Sequence, residues 1–299
     1  MSVFWEHLFR FSFLQYALVA GILASIACGV VGSFVVVRRS TYVAGAIAHC
    51  VLGGMGAARY MNSVHGVQWM SPFIGATAAA LIAGVIIAVV SLSERHRTDT
   101  VISAVWAIGM AVGISFITAT PGYHEDLMSY LFGNILMVGK SDIIHMAVLD
   151  VIIIGVVFVY FEKFLIISFQ PELARLRGLN VAAYQILLLM LISLTIVLLT
   201  RIVGLVMVIA LLTLPAATAS LITGRLWTMM VLAASFCLIF TVGGIAISYG
   251  PELPAGATVI EITGAGYLLV FGIERFFTYR KRKKINTYSC IEDNSNAHK

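Results

Sequence analysis

The sequence predicts an all-α protein that crosses a membrane repeatedly, a polytopic bundle of about eight or nine helices. Of its 299 residues, 60% are hydrophobic and only 11% are charged, and the mean hydropathy is +0.99. Soluble domains carry roughly 25% charged residues. Apolar runs close to the roughly 20 residues that a bilayer requires recur along the chain. They leave length only for short loops, which excludes a soluble domain of useful size.

The apolar runs predict nine spans. Their bounds are near 11–37, 42–60, 72–92, 99–119, 143–161, 181–200, 202–223, 226–248 and 257–277. The first run is longer than the roughly 7–15 residues of a signal-peptide core, so we expect a retained helix. If the glycine-interrupted run 42–60 does not cross fully, eight spans remain. We divide the chain into a transmembrane domain, 1–284, and a polar cytoplasmic tail, 285–299, for which we expect disorder.

Basic residues cluster on one side of the predicted helices. That side carries Arg38, Arg39, Arg95, Arg97, Lys163, Arg175, Arg177, Arg225, Arg275 and the run 280–284, whereas the other side keeps Arg10, Arg59, Lys140 and Arg201. The positive-inside rule places the richer side in the cytoplasm. We therefore expect the N-terminus outside and the C-terminus in the cytoplasm. The basic residues that orient the chain in the lipid bilayer account for the net charge of +5. The charge therefore does not indicate a nucleic-acid partner.

One segment resembles a phosphate-binding loop without matching it. Five residues separate Gly133 from Gly139, which precedes Lys140 and Ser141, whereas the motif needs four. No strand precedes the segment, and the predicted topology puts it outside the cell. The chain is therefore not expected to be an enzyme that hydrolyses ATP, and its energy must come from a partner or a gradient. The four cysteines show no paired spacing and are expected to be small packing residues.

A short polar element precedes the longest apolar stretch. Pro171 and Glu172 suit the first turn of a helix, and Gly178 suits its C-terminal cap. Leu173 and Leu176 fall on one face and form an apolar edge. The pattern is typical of a short helix of about eight residues that docks to a soluble partner. A helix that lies on the lipid surface fits the pattern equally well.

His49 is the only histidine well inside a predicted span. An ionisable group within the membrane is a functional candidate by default. His49 belongs to a stripe with Gly45, Gly53 and Gly56 on one helical face, and the small residues are expected to leave room beside the imidazole. One interpretation is a metal contact or a gate. The other is that the glycines permit close helix packing and His49 makes a hydrogen bond across the interface.

Two further features concern packing. Pro215 predicts a kink in the span 202–223, which is either a hinge or a static packing feature. Thr213 and Thr218 are expected to satisfy the backbone groups that the proline frees. Gly109 and Gly113 form a small-residue pair that predicts a close helix contact.

Four motifs lie in order along the chain: Arg38-Arg39-Ser40-Thr41-Tyr42 followed by Ala48-His49, Pro171-Glu172-Leu173-Ala174 with Gly178, Leu214-Pro215-Ala216-Ala217-Thr218-Ala219, and Pro254-Ala255-Gly256-Ala257. Together they resemble the permease subunit of bacterial zinc/manganese/iron ABC importers. The similarity runs from about residue 11 to residue 277. It implies an architecture related to the cobalamin and siderophore importers and a homodimer or heterodimer of permeases. It also implies two cytoplasmic ABC ATPases and an extracytoplasmic metal-binding protein as partners.

The resemblance also implies roles for residues. The segment 170–179 would be the coupling helix in the ATPase groove, and its residues Pro171, Glu172, Leu173, Ala174, Arg175 and Gly178 would carry the coupling. His49 would line or gate the metal path. Many members have Gly-Asp-x-Leu-x-His here, whereas this chain has Gly45 in place of the aspartate. Because that hard oxygen donor is missing, His49 would offer only a passing nitrogen contact. No permanent cofactor is implied beyond the transported ion.

The sequence thus predicts a transport subunit, not an enzyme, that moves zinc, manganese or iron across the bacterial cytoplasmic (inner) membrane. An importer of a metal chelate such as a siderophore is an alternative and predicts a wider, more aromatic path. A gradient-driven secondary transporter would show paired intramembrane carboxylates. An intramembrane enzyme would need a nucleophile and a base, or several metal ligands, at one depth. The sequence leaves the metal and the nature of the dimer open.

Overall fold

The computed structural model describes residues 11–93, 98–121, 133, 135–249 and 253–296, and the regular secondary structure in these ranges is helical. Its helices are α1 (Ser12–Val37), α2 (Thr41–His65), α3 (Pro72–Ser93), α4 (Thr98–Ala119), α5 (Lys140–Val159), α6 (Phe161–Phe169), α7 (Pro171–Leu176), α8 (Val181–Val203), α9 (Leu205–Ile222), α10 (Leu226–Tyr249) and α11 (Ala255–Asn296). Within the described ranges, nine helices are long and apolar enough to cross a membrane. All helices except α6 and α7 belong to this set, so the prediction of about eight or nine spans is confirmed.

Three boundaries differ from the sequence prediction. The glycine-interrupted run is one continuous helix of 25 residues that ends at His65, and Gly66 caps it with φ of 67°. The chain bends at Tyr160 and forms α6, which the sequence did not predict as a separate element. Helix α11 runs from Ala255 to Asn296 and so extends past the predicted end of the last span at 277. The domain boundary at 284 stays a prediction, and Arg10, Arg95 and Arg97, used for orientation, lie outside the described residues.

Helices α1, α2, α8 and α9 form the centre of the bundle. Helix α1 packs against α5, α9 and α10, whereas α2 lies between α3 and α4. Helix α8 joins the two groups because it contacts α3, α2 and α1. Large apolar side chains such as Ile108, Val151 and Leu268 point outward from peripheral helices. A bilayer accommodates such faces because lipid tails are as apolar as the side chains.

Glycines bring α2 and α4 into backbone contact. A Cβ atom on Gly53 would lie 2.8 Å from the carbonyl oxygen of Gly109, and one on Gly56 would lie 2.8 Å from that of Gly113. Side chains larger than hydrogen would therefore push the helices apart. The close contact predicted from Gly109 and Gly113 is confirmed.

Many of the buried hydroxyl groups bond within their own helices. The hydroxyl of Ser33 donates to the carbonyl of Gly29 at 2.7 Å, and that of Thr263 donates to the carbonyl of Val259 at 2.7 Å. This local bonding satisfies polar groups that water cannot reach. The carboxylate of Asp150 differs, since both of its oxygens are buried without a hydrogen-bond partner in the described part of the chain.

Pro215 lies buried inside α9, which continues through it from Leu205 to Ile222. The hydroxyl of Thr213 donates to the carbonyl of Ile209 at 2.8 Å, and that of Thr218 donates to the carbonyl of Leu214 at 2.8 Å. Neither hydroxyl reaches the carbonyl four residues before the proline, which is the group a proline frees. The expectation that these threonines satisfy that group is therefore wrong. The hinge role of Pro215 stays a prediction.

We expect Gly54→Ala to destabilise the bundle. Gly54 faces the carbonyl of Gly75 on α3, and its added Cβ would also lie 2.5 Å from the Cβ of Ala79. Overpacking of this kind costs about 1–3 kcal/mol. The measurement is the melting temperature of the purified protein in detergent. Gly155→Ala is the matched control, because nothing lies within 4 Å of its added Cβ. Equal melting temperatures for the two variants would contradict the proposed backbone contact.

Candidate metal path and coupling helix

His49 lies on α2 with its imidazole against α4. Its side chain is only 9% exposed. The ring stacks on the indole of Trp106, with 4.7 Å between the ring centroids and 22° between the planes. Its Nδ1 atom is buried and has no hydrogen-bond partner among the described residues. The contact across the interface is therefore a ring stack and not the hydrogen bond that one interpretation of the sequence suggested.

Gly45 makes this stack possible. A Cβ atom at position 45 would lie 2.9 Å from Cζ3 and 3.2 Å from Cη2 of Trp106. Real Cβ atoms do not approach other atoms so closely, so a side chain here would displace the indole. The sequence led us to expect empty space beside the imidazole. That expectation is wrong for this conformation, because the indole fills the space.

Two hydrogen bonds join α2 to α4, one near the start of both helices and one beside the stack. The hydroxyl of Tyr42 donates to Oδ1 of Asp99 at 2.7 Å, close to the start of both helices. The thiol of Cys50, next to His49, donates to the backbone carbonyl of Val105 at 3.3 Å. These bonds fix the two helices relative to each other at the level of His49.

The described residues hold no group of three or more His, Cys, Asp or Glu side chains that could bind a metal ion. His49 is thus a single nitrogen donor in this conformation. One imidazole cannot form the closed four-ligand shell of a structural zinc site. The geometry suits a transient contact with a passing ion.

Sequence reasoning missed Asp150. This residue lies in the middle of α5 and is 3% exposed, and both carboxylate oxygens lack a partner in the described ranges. It lies near the thiol of Cys28 on α1, which in turn neighbours the thiol of Cys237 on α10. Burying a carboxylate in this way is costly unless it is neutral or paired. The available signal was one acid inside the predicted apolar run 143–161.

The short polar element forms a six-residue helix, α7, rather than the eight residues expected. Pro171 occupies the first turn as predicted. Gly178 adopts φ of +74°, its amide donates to the carbonyl of Arg175, and the amide of Leu179 donates to the carbonyl of Ala174. This pair of bonds is a Schellman motif, which satisfies the terminal carbonyls of a helix. The cap predicted at Gly178 is confirmed.

Helix α7 has one anchored side and one open side. Ala174 is fully buried against Ile167 of α6 and Val181 of α8. Leu176 is 86% exposed, and Leu173 is also exposed on this surface. The apolar edge predicted from the sequence therefore faces away from the rest of the chain.

Lys163 connects α6 to the neighbouring helix α8. Its ammonium lies 5.3 Å from the ring centroid of Tyr160 and 5.2 Å from that of Tyr184. A hydrogen bond with Tyr184 raises the pKa of Lys163 above its ordinary value. Contacts of a cation with aromatic faces stabilise this arrangement modestly at an exposed site.

The arginine-rich motif forms the turn between α1 and α2. Arg39 adopts a positive φ of 53°, which is uncommon for a residue with a side chain. Arg38 and Arg39 border a cavity of about 200 Å³ with Tyr42 and Gln185. Burial lowers the pKa of the Arg38 guanidinium, and its Nη1 atom has no partner within the described residues.

Comparison with curated proteins finds relatives along nearly the whole chain. An uncharacterized membrane protein of Synechocystis sp. is 38% identical over 89% of this chain and 92% of its own length. The manganese transport system membrane protein MntC of Halalkalibacterium halodurans is 33% identical over 91% of this chain and 90% of its own length.

Solved structures share the fold. PsaBC from Streptococcus pneumoniae is 31% identical, with a TM-score of 0.81 over 93% of this chain and 99% of the matched chain. An inward-facing metal-chelate type ABC transporter matches at 14% identity, with a TM-score of 0.66 over 88% of this chain and 85% of the matched one. The second likeness confirms the predicted architectural relation to chelate importers. Since the model of the ABC 3 transport family matches residues 10–274, the chain belongs to that family.

Proposed function

We propose that this chain is the membrane permease of an ATP-driven importer of divalent metal ions. Helix α7 is the observation that carries the proposal, because it presents Leu176 while Ala174 fixes it to the bundle. A relative that is 33% identical is named a manganese transport system membrane protein, and this name supports the substrate class. The chain lies in the cytoplasmic membrane with its N-terminus outside and its C-terminus inside, which places α7 in the cytoplasm.

In the proposed importer, α7 is the coupling helix of a separate cytoplasmic ABC ATPase. Leu176 enters an apolar groove of the ATPase, and Glu172 and Arg175, which form an exposed ion pair at 3.5 Å, lie at its rim. Exposed pairs contribute little to stability, so they remain available to a partner. Because the Schellman motif closes the helix and Ala174 anchors it, α7 moves with α6 and α8.

The proposed metal path passes His49. Imidazole binds zinc, iron and manganese with affinities that increase from manganese to zinc. A single donor releases the ion quickly, as transport requires. A second permease subunit, identical or related, completes the path, an extracytoplasmic binding protein delivers the ion, and Pro215 in α9 is the candidate hinge.

A gradient-driven transporter is the main alternative from another class. It would use paired intramembrane carboxylates, and Asp150 is the only acidic residue that is fully buried among those described. A lone carboxylate without a polar partner does not form such a pair. The proposal therefore assigns the driving force to ATP.

We expect Leu176→Glu to uncouple transport. In proteoliposomes that contain this chain, its ATPase and its binding protein, ATP-dependent uptake of radioactive zinc or manganese should fall by about tenfold or more, since loss of a central apolar anchor weakens an interface by that factor. The control is Leu268→Ala, which changes a leucine on the outer surface of α11 without placing a charge in lipid. This variant should transport normally. Equal uptake by the Leu176 and Leu268 variants would contradict the coupling role.

His49→Ala should also reduce uptake in the same proteoliposomes, because it removes the nitrogen donor from the path. The protein must remain folded, which its melting temperature checks. Uptake at the wild-type rate would leave the transporter in place and remove His49 as its ligand. No metal movement with any ATPase would reject the metal-ion importer in favour of a chelate or a gradient.

Asp150→Asn should leave ATP-dependent uptake close to the wild-type value. The amide has the same shape as the carboxyl group and carries no charge, so the melting temperature should be unchanged or higher. A gradient-driven carrier that used Asp150 would instead lose transport. Uptake that disappears in this variant and follows an imposed proton gradient in the wild type would contradict the ATP-driven proposal.

A further inference from the structure

We propose that Trp106 is an aromatic lid over His49, and that a metal ion reaches the imidazole only after the indole has moved. The inference rests on the function proposed above, since it concerns access to the same imidazole. The two rings stack with 4.7 Å between their centroids. His49 is 9% exposed, whereas Trp106 is 37% exposed. The indole therefore covers the imidazole, while part of its own surface stays exposed.

The indole is the part of this interface that moves. Gly53 and Gly56 of α2 already touch the backbone of Gly109 and Gly113, so the helices cannot approach further or slide without a clash. The Cys50–Val105 hydrogen bond holds the same region. Side-chain rotation does not disturb these contacts, and partly exposed side chains change rotamer rapidly. Rotation of Trp106 about its own side-chain bonds is thus the simplest way to uncover His49.

Gly45 is the second component of the lid. The indole occupies the space in which a Cβ at position 45 would lie, 2.9 Å from Cζ3 of Trp106. Alanine at this position would push the indole away from its seat. Positions 45 and 106 therefore act as one unit, and a change at either position should uncover the imidazole.

The buried Nδ1 atom of His49 explains why an ion can replace the indole. This nitrogen has no hydrogen-bond partner among the described residues, and a buried polar atom without a partner is unfavourable. Aromatic packing against Trp106 compensates in part, since stacked rings contribute beyond their buried area. When the indole leaves, a divalent cation that accepts a nitrogen ligand replaces the ring as the partner of the imidazole. The resting state thus stays closed to ions until the ring moves.

Chemical labelling of His49 tests the lid directly. The full-length protein in lipid nanodiscs is treated with diethyl pyrocarbonate, which modifies accessible imidazoles, and the labelling rate of His49 is measured by peptide mass spectrometry. Trp106→Ala and Gly45→Ala should each raise this rate between about twofold and tenfold, the factor by which an aromatic stack shifts an equilibrium. Trp106→Phe, which keeps a smaller ring, should give a smaller increase.

Two matched controls separate the lid from general loosening. Gly264→Ala adds a Cβ with nothing within 4 Å, and Trp227→Phe changes a tryptophan that packs on Phe161, away from His49. Neither should alter the labelling of His49. His145, whose Nδ1 contacts the carbonyl of Ser141, is the internal reference and should label equally in all variants.

An unchanged labelling rate of His49 in both Trp106→Ala and Gly45→Ala would overturn the lid, and so would a parallel increase at His145. Zinc and manganese uptake by the wild-type importer is measured alongside. If His49 labels faster in the variants but the wild type takes up no metal, the lid proposal stands and the importer proposal is rejected. If the wild type takes up metal but His49 labels at an unchanged rate in the variants, the importer proposal stands and the lid proposal is rejected.

Discussion

The rest of this structure depends on the absence of water from the bilayer core. Each backbone amide and carbonyl must then find its partner within its own helix, and the buried hydroxyls of Ser33 and Thr263 follow the same rule. Because lipid competes with side chains for apolar contact, helices associate through close backbone approach. Glycines on α2 permit that approach to α3 on one side and to α4 on the other.

This constraint also determines the candidate site. The contacts of Gly53 and Gly56 set the position of α4, which brings Trp106 over His49. Gly45 leaves the space that the indole fills. Close packing and a role in transport were alternatives for the glycine stripe at the level of sequence. In the fold the two roles are compatible, because the close packing of the glycines places Trp106 over His49 and so covers the imidazole.

Apolar runs predicted the nine spans well, because the length and hydropathy of a segment decide whether it crosses a bilayer. The cap at Gly178 was predictable for a local reason, the preference of glycine for positive φ. The stack on Trp106 was not predictable, since it depends on which helix faces meet. Asp150 did leave a signal, an acid inside a predicted span, but the faces that bury it were not predictable either. Glu162 and Lys163 ended the predicted span at 161, but the few apolar residues that follow them did not predict α6 as a separate helix.

Helix α8 connects α7, the proposed coupling helix, to α2, the helix that bears His49. Its first residue, Val181, packs with Ala174 of α7, and its later turns contact α3 and α2. A helix of 23 residues is about 35 Å long at 1.5 Å per residue, enough to cross the bilayer. A displacement of α7 therefore acts on α8, both through the contact of Ala174 with Val181 and through the short capped connection 177–180, and α8 borders the helix that bears His49. Docking of an ATPase and access to His49 would then be coupled through this contact and this connection.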